Sequence, residues 1–367
     1  MADRIVLFGA TGYTGRLTAE AMVDRGLRPV LAARSRDRLD AMAQELGGLE
    51  TATADVSEPR TVGALAEGAD VLVSTVGPFM RFGAPAAAAA ATHGVTYLDS
   101  TGEPPFIREV FERYGEAAAN AGTAMLTAFG WDFVPGNLAG GLALERAGAR
   151  AVRVDVGYFA TGHARPSGGT LASLVGVIAE PSFSFRDGAV REERGARRVR
   201  SFPVGDDDKE LTGVSIGSSE HFTLPRLAPQ LKEVNAYLGW FGPASRVAQV
   251  ASAGGSVVMK LPGAKTVWDT ATSRFLKGSS GGPDADDRAR GGSHIVAIAY
   301  DAAGEALSEV HVTGIDGYSF TGRILAWGAE RAAAGITARG ALGPAEAFGL
   351  RELEAGCAEA GLVATGG

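Results

Sequence analysis

The sequence predicts an α/β protein in two parts. Residues 1–150 read as an N-terminal Rossmann-type, doubly wound parallel sheet, with the C-terminal helices of 318–367 packing back on it. Residues 151–317 read as a second α+β domain with a mixed or antiparallel sheet, shaped for substrate binding or dimerisation. Three observations carry this. Short apolar runs alternate with helical patterns over the first third of the chain. A glycine-rich stretch, Gly9-Ala10-Thr11-Gly12-Tyr13-Thr14-Gly15, joins the first such run to the first helix. After about Arg150 the apolar period shortens to two.

The elements follow in order. Ile5-Val6-Leu7-Phe8 is the first strand, ended by Gly9. Gly9 permits the sharp turn, Gly12 leaves room for a pyrophosphate, and Gly15 lets helix and strand approach closely. Free N–H groups at the helix start would face the phosphate. Gly9, Thr11, Gly12, Tyr13, Thr14 and Gly15 are therefore candidate cofactor contacts. The spacing is G-x-x-G-x-x-G, and its place between first strand and first helix favours a dinucleotide site over a plain turn. Strands are expected at Pro29–Ala33, Glu50–Ala54, Val71–Ser74, Val95–Leu98 and Thr123–Thr127. Helices are expected at Arg36–Leu46, Glu58–Ala66 (capped by Ser57), Ala84–His93 and Pro105–Asn120. Strands separated by helices require a parallel sheet, with the ligand crevice beyond their carboxyl ends.

The second part is expected to open with strand Val152–Val156 and a helix over Thr170–Ala179. Strands Ser182–Arg186 and Arg197–Phe202 would flank a charged turn. Further strands are expected at Ser215–Leu224, His294–Tyr300 and Leu307–Val312, the last two joined by a hairpin turn at Ala302–Glu305. Tyr318–Ala334 and Pro344–Ala360 read as helices. Gly205–Lys209 and Gly278–Gly292 read as mobile loops.

Bulk properties narrow the function. The net charge of −7, without a long basic run, argues against nucleic acid or an anionic membrane as partner. A single cysteine, Cys357, precludes an intrachain disulfide and fits a reducing, cytoplasmic setting. The chain enters its first strand directly, which argues against a signal peptide. The longest uncharged stretch, Phe82–Leu98, is broken by Gly and His and is a poor membrane span. The histidines are scattered, so no metal site is expected.

The end of the second strand sets cofactor choice. It reads Ala32-Ala33-Arg34-Ser35-Arg36, with no acid to bond a free ribose hydroxyl. Arg34 and Arg36 can pair with a 2′-phosphate and Ser35 can donate to it, which favours NADP over NAD. The alternative is a solvated basic loop. Asp55, after the third strand, either meets the adenine edge or caps a helix. Thr75, Val76, Gly77 and Pro78 follow the fourth strand and would pass the ribose and nicotinamide, with Phe79 beside them. Tyr97 lies near the end of the fifth strand, Asp99 and Glu103 follow it, and Trp131, Asp132 and Phe133 follow the sixth. Tyr97, Asp99 and Asp132 are the candidate catalytic groups; Asp99 and Asp132 serve equally well as loop clamps.

The loops Thr75-Val76-Gly77-Pro78-Phe79, Tyr97-Leu98-Asp99-Ser100-Thr101-Gly102-Glu103 and Gly130-Trp131-Asp132-Phe133-Val134-Pro135-Gly136-Asn137 resemble the saccharopine dehydrogenase-like reductases. The chain is most similar to the branch that includes trans-acting enoyl reductases. Ser167-Gly168-Gly169-Thr170, Gly282-Pro283 with Arg288, and Tyr318 with its helix extend the likeness. The resemblance implies an NADP(H)-binding Rossmann domain, a second domain that shapes the substrate pocket, and hydride transfer to a C=C or C=N bond. It places Phe79, Glu103, Trp131, Phe133, Ser167, Gly168 and Gly169 at that pocket. Phe133 and Asn137 depart from the branch, which has serine and aspartate there, and imply a more apolar pocket. The substrate would be a small or carrier-bound metabolite; Arg165, Arg191 and Arg226 are set by no motif to bind a carboxylate. A short-chain reductase would need Tyr with Lys four residues later, which no tyrosine here has. An NADP-sensing regulator is the remaining alternative. Tyr237–Trp240 could serve a homodimer or the core.

Overall fold

The computed structural model describes residues 4–162, 181–204, 210–240, 242–258 and 281–366. The expected helix Thr170–Ala179 and loop Gly205–Lys209 lie outside these residues. Two units emerge. The first takes the chain to Thr101, then Phe106–Val134 and Gly317–Ala360; the second takes Gly102–Pro105, Pro135–Asp316 and the chain from Gly361.

In the first unit, β1 (Ile5–Phe8), β2 (Val30–Ala33), β3 (Thr51–Thr53), β4 (Val71–Ser74), β5 (Thr96–Asp99) and β6 (Ala124–Leu126) are all parallel. Every residue of β1, β2 and β4 is buried, because helices cover both faces of such a sheet. The helices are α1 (Tyr13–Asp24), α2 (Arg36–Glu45), α3 (Pro59–Ala66), α4 (Phe79–Phe82), α5 (Ala84–His93), α6 (Pro104–Glu109) and α7 (Gly115–Asn120). One π-helical turn, Val110–Tyr114, links the last two. On α5 the small side chains Ala86, Ala87, Ala90 and Ala91 are buried, which allows close approach to neighbours. Ser57 does not cap α3. Glu58 holds that position, and Ser57 instead donates to Asp55.

The second unit begins with α8 (Val134–Ala147) and β7 (Arg153–Gly162). It continues through β8 (Pro181–Arg186), β9 (Ala189–Arg194), β10 (Val199–Pro203) and β11 (Glu210–Ile216). Then come α9 (Glu220–Leu227), β12 (Glu233–Leu238), α10 (Ser245–Val258), α11 (Ala285–Ala289), β13 (Gly291–Tyr300) and β14 (Ala306–Ile315). Only the β7–β12 pair is parallel among the described pairings of this sheet, so the sheet is mixed.

Several expectations change here. The charged stretch after Arg186 is not a turn but β9, which among the described residues pairs only with β8 and can carry charges along its outer edge. The expected strand Ser215–Leu224 stops at Ile216, and Glu220 starts a helix. Residues 285–292 are ordered as α11 and the start of β13; Asp284 caps α11 by accepting from Asp287 N at 2.8 Å. Tyr237 and Leu238 are buried in β12, inside the sheet, so core packing accounts for them.

The chain then returns to the first unit with α12 (Gly317–Ala333) and β15 (Gly340–Ala341). The sheet order there is β15-β6-β5-β4-β1-β2-β3. Helix α12 lies on α1 at Gly322, where a Cβ would come within 2.9 Å of the Leu17 carbonyl carbon. The expected tail helix is two, α13 (Pro344–Phe348) and α14 (Leu350–Ala360), broken at Gly349 with φ +83. Strand β16 (Leu362–Thr365) adds to the second sheet beside β14. Among the described residues no helix is long and apolar enough to cross a membrane.

Candidate functional site

The glycine loop leaves β1 at Gly9, whose φ is +92. A Cβ at Gly9 would lie 2.7 Å from Thr75 Oγ1, and one at Gly15 would lie 2.2 Å from the Gly9 carbonyl oxygen. Both positions therefore exclude any larger residue without backbone movement. Gly12 N donates to Gly9 O at 2.9 Å, closing the turn. Gly12 is also the N-cap of α1, so no side chain caps that helix, and its first turn holds no acid. The positive end of α1 is thus left to an anion. Thr75 N donates to Phe8 O at 2.9 Å, which brings the Thr75–Pro78 loop against the glycine turn.

At the end of β2, Arg34 and Arg36 are exposed and Ser35 is half-buried. Ser35 is the N-cap of α2 but makes no side-chain capping bond. Among the described residues neither Arg34 nor Arg36 enters an ion pair. Nearby Arg16 is already committed, to Glu20 and Glu45. Arg38 was not singled out by the sequence. Its Nη2 donates to Thr11 O at 2.9 Å, tying α2 to the glycine loop. Its position in the first turn of α2, directly after the basic Arg34-Ser35-Arg36 stretch, is the available signal.

Asp55 accepts from Ser57 N and Ser57 Oγ, both at 2.8 Å. Those two bonds, the backbone one foremost, hold its pKa below the usual carboxylate value, and the Arg34 charge adds to the effect. This is a turn clamp at the edge of the β2–β3 crevice.

The β5 and β6 loops are joined by Asp99, which is fully buried. Its Oδ1 accepts from Thr101 N and Ala128 N, each at 2.9 Å, and its Oδ2 from Thr127 Oγ1 at 2.9 Å. Burial pushes its pKa up to about 6, against the pull of those donors. Tyr97 is also fully buried, and its pKa is raised by burial and then by the Asp99 charge. Tyr97 Oη and Ser74 Oγ are buried short of hydrogen-bonding geometry. Asp132 and Glu103 are half-buried, and Trp131 and Phe133 are buried. Phe79 packs its ring 5.5 Å from that of Phe106. Ser167, Gly168 and Gly169 lie outside the described residues.

The second unit holds a polar cluster that the sequence reading missed. Tyr158 donates to the fully buried Glu220. Asn137 Nδ2 donates to Ser219 Oγ at 2.9 Å, and Thr223 Oγ1 donates to Asn137 Oδ1 at 2.5 Å. A Cβ on Gly136 would fall 1.8 Å from Tyr158 Oη, so the first turn of α8 rests directly on this cluster. Burial raises Glu220 to about 7 and lowers His221 to about 4. Asn137 is thus a buried structural donor and acceptor.

Comparison with known proteins points to NADP as the cofactor of the first unit. Residues 5–126 match the family model described as the saccharopine dehydrogenase NADP binding domain. A 197-residue stretch is 40% identical to a Mycobacterium tuberculosis protein named as a trans-acting enoyl reductase, covering 48% of this chain and 45% of that one. A 140-residue stretch is 41% identical to the trans-acting enoyl reductase of Mycobacterium ulcerans, covering 36% and 34%. The chain thus spans less than half the length of these curated relatives. In fold it is similar to saccharopine dehydrogenase (L-Glu forming) of Saccharomyces cerevisiae, with TM-score 0.63 over 100% of both chains and 12% identity.

Proposed function

We propose that this chain, whose residues 5–126 match a saccharopine dehydrogenase NADP binding domain, is an NADP(H)-dependent oxidoreductase. The reaction is reduction of an activated C=C (enoyl) or C=N bond in a small or carrier-bound metabolite. The observation that carries the cofactor choice is the acid-free end of β2 with two uncommitted arginines, next to an uncapped α1. Arg34, Arg36 and Ser35 would hold the 2′-phosphate. Gly9, Gly12 and the first amides of α1 would receive the pyrophosphate. The names of the relatives favour an enoyl acceptor. The bound cofactor supplies the hydride.

The chain's own residues then position and shield. Asp99 holds the β5 and β6 loops in register, and Trp131 and Phe79 keep water away. The second carbon or the nitrogen needs a proton. Asp132, the half-buried acid of the β6 loop, stands in the loop where that proton would be needed.

The test is a titration with NADPH and NADH, followed by nicotinamide fluorescence. NADPH should bind at least about tenfold tighter, roughly 1.4 kcal/mol. An Arg34→Ala/Arg36→Ala variant should lose that margin. NADPH should then be consumed with an enoyl thioester or with a cyclic imine, and the acceptor that turns over decides between the C=C and C=N forms of the reaction. Equal affinity for the two cofactors would end the NADP assignment, and tight NADPH binding without turnover on either acceptor class would favour the sensing regulator.

A further inference from the structure

Helix α12 enters the first unit more than 180 residues after its parallel sheet is otherwise complete, yet its first turn meets two of the crevice loops. The ring of Tyr318 meets that of Tyr13, the first residue of α1, edge to face at 5.3 Å and 82°. One turn on, Thr321 Oγ1 accepts from Trp131 N at 3.0 Å and donates to Gly317 O at 2.7 Å. The second bond fixes the first. A hydroxyl has one proton, and here it is spent on the Gly317 carbonyl, so a lone pair must face the Trp131 amide.

The loop is also seated by contact. A Cβ on Gly130 would lie 2.9 Å from Thr321 Cγ2, and one on Gly317 would lie 2.9 Å from Trp131 Cγ. A ring, a helical turn and a second ring therefore form a row from the β6 loop to the glycine loop. The sheet order β6-β5-β4-β1 sets those loops three strand spacings apart, about 14 Å. The basic β2 end lies on the other side of β1, where the adenosine half belongs.

We propose that Tyr318 and Thr321 are positioning residues for the pyrophosphate and nicotinamide part of the dinucleotide. Tyr318 sets the glycine loop through Tyr13, and Thr321 sets the Trp131 loop through its backbone amide. This rests on the NADP reading above and extends it to a segment that lies outside the matched domain, residues 5–126.

The experiment separates the two parts of the cofactor. Thr321→Val, Thr321→Ser and Tyr318→Leu would be titrated with NADPH and with adenosine 2′-monophosphate, which has the 2′-phosphate but neither the pyrophosphate nor the nicotinamide. Thr321→Val and Tyr318→Leu should each weaken NADPH about tenfold, and leave the monophosphate within about twofold. Thr321→Ser, which keeps the hydroxyl, should restore NADPH binding to within about threefold of wild type. Unchanged NADPH affinity in both variants would overturn the proposal, with the cofactor reading intact because wild type still binds. Equal weakening of both ligands would overturn it too, since that marks general damage to the fold. Absence of NADPH binding by wild type would remove the cofactor reading itself, and the proposal with it.

Discussion

Among the described residues Asp99 of the first unit and Glu220 of the second are both fully buried carboxyls, and the two are held differently. Asp99, in the first unit, ends a strand and receives two backbone amides and a threonine hydroxyl. Glu220, in the second, begins α9 and receives the Tyr158 hydroxyl, with Ser219 Oγ at 3.5 Å. Amide donors fixed by the fold stabilise the charged form better than rotatable hydroxyls do. Burial nevertheless raises both above their ordinary values by similar amounts, Asp99 from 3.8 to about 6 and Glu220 from 4.5 to about 7.

The largest expected effect comes from removing the clamp. Asp99→Ala leaves two buried amides and a hydroxyl without an acceptor. Each such group costs about 1–3 kcal/mol, so the loss should be on the order of 4 kcal/mol in urea unfolding. A loss below about 1 kcal/mol would mean that the β5 and β6 loops do not depend on Asp99.

Glu220→Gln sharpens the contrast through pH. The folded pKa of Glu220, about 7, lies above its usual 4.5 because burial opposes the charge. As pH rises from 4.5, the unfolded chain gives up this proton first. The contribution is therefore fully present below pH 4.5 and is lost as pH climbs through 7. Gln cannot titrate. The stability of Glu220→Gln relative to wild type should increase across that window by up to about 3 kcal/mol. His221 works in the opposite sense, because burial lowers it to about 4 and its contribution is lost as pH falls. It is present in both proteins, so it cancels in the difference. A flat difference from pH 4.5 to 7 would mean that Glu220 titrates as an ordinary surface carboxyl.

The same two carboxyls mark how far the sequence could be read. Asp99 sits after an apolar strand in a regular alternation of strand and helix, so its place at the sheet edge followed from periodicity. That alternation holds through β1–β6, and element bounds there shift by a residue or two. Glu220 follows Gly217-Ser218-Ser219, in a stretch whose apolar Val214 and Ile216 suggest a continuing strand. Nothing local reveals that Tyr158, 62 residues earlier, will accept it into the core. Likewise β9 carries Arg191, Glu192, Glu193 and Arg194 and reads as a turn, since its strand character comes from pairing with β8. In the site, the glycines and the basic β2 loop were legible because local conformation and charge dictate them. Arg38 lies on the same helix as Arg36, beside that basic loop, and is legible by the same reasoning. Thr321, 190 residues from Trp131, could not.

The smallest effect concerns Asp55, the one exposed-edge carboxyl of the comparison, where two roles remained open on sequence. An acceptor for the adenine amino group would make Asp55→Ala bind both NADPH and adenosine 2′,5′-bisphosphate about tenfold more weakly. The structure engages the carboxylate otherwise, with Oδ1 already accepting from Ser57 N and Ser57 Oγ. Arg34 lies close enough for its charge to depress the Asp55 pKa, so the carboxylate in turn draws on the cation proposed to meet the 2′-phosphate. Removing it costs the exposed turn about 0.5 kcal/mol or less and leaves Arg34 more positive toward an incoming anion. Affinity for both ligands should therefore stay level or rise, by up to about twofold, with the gain shrinking at higher salt. A tenfold loss would restore the adenine contact. It would also make Asp55, unlike Asp99 and Glu220, a carboxyl that serves the ligand before the fold.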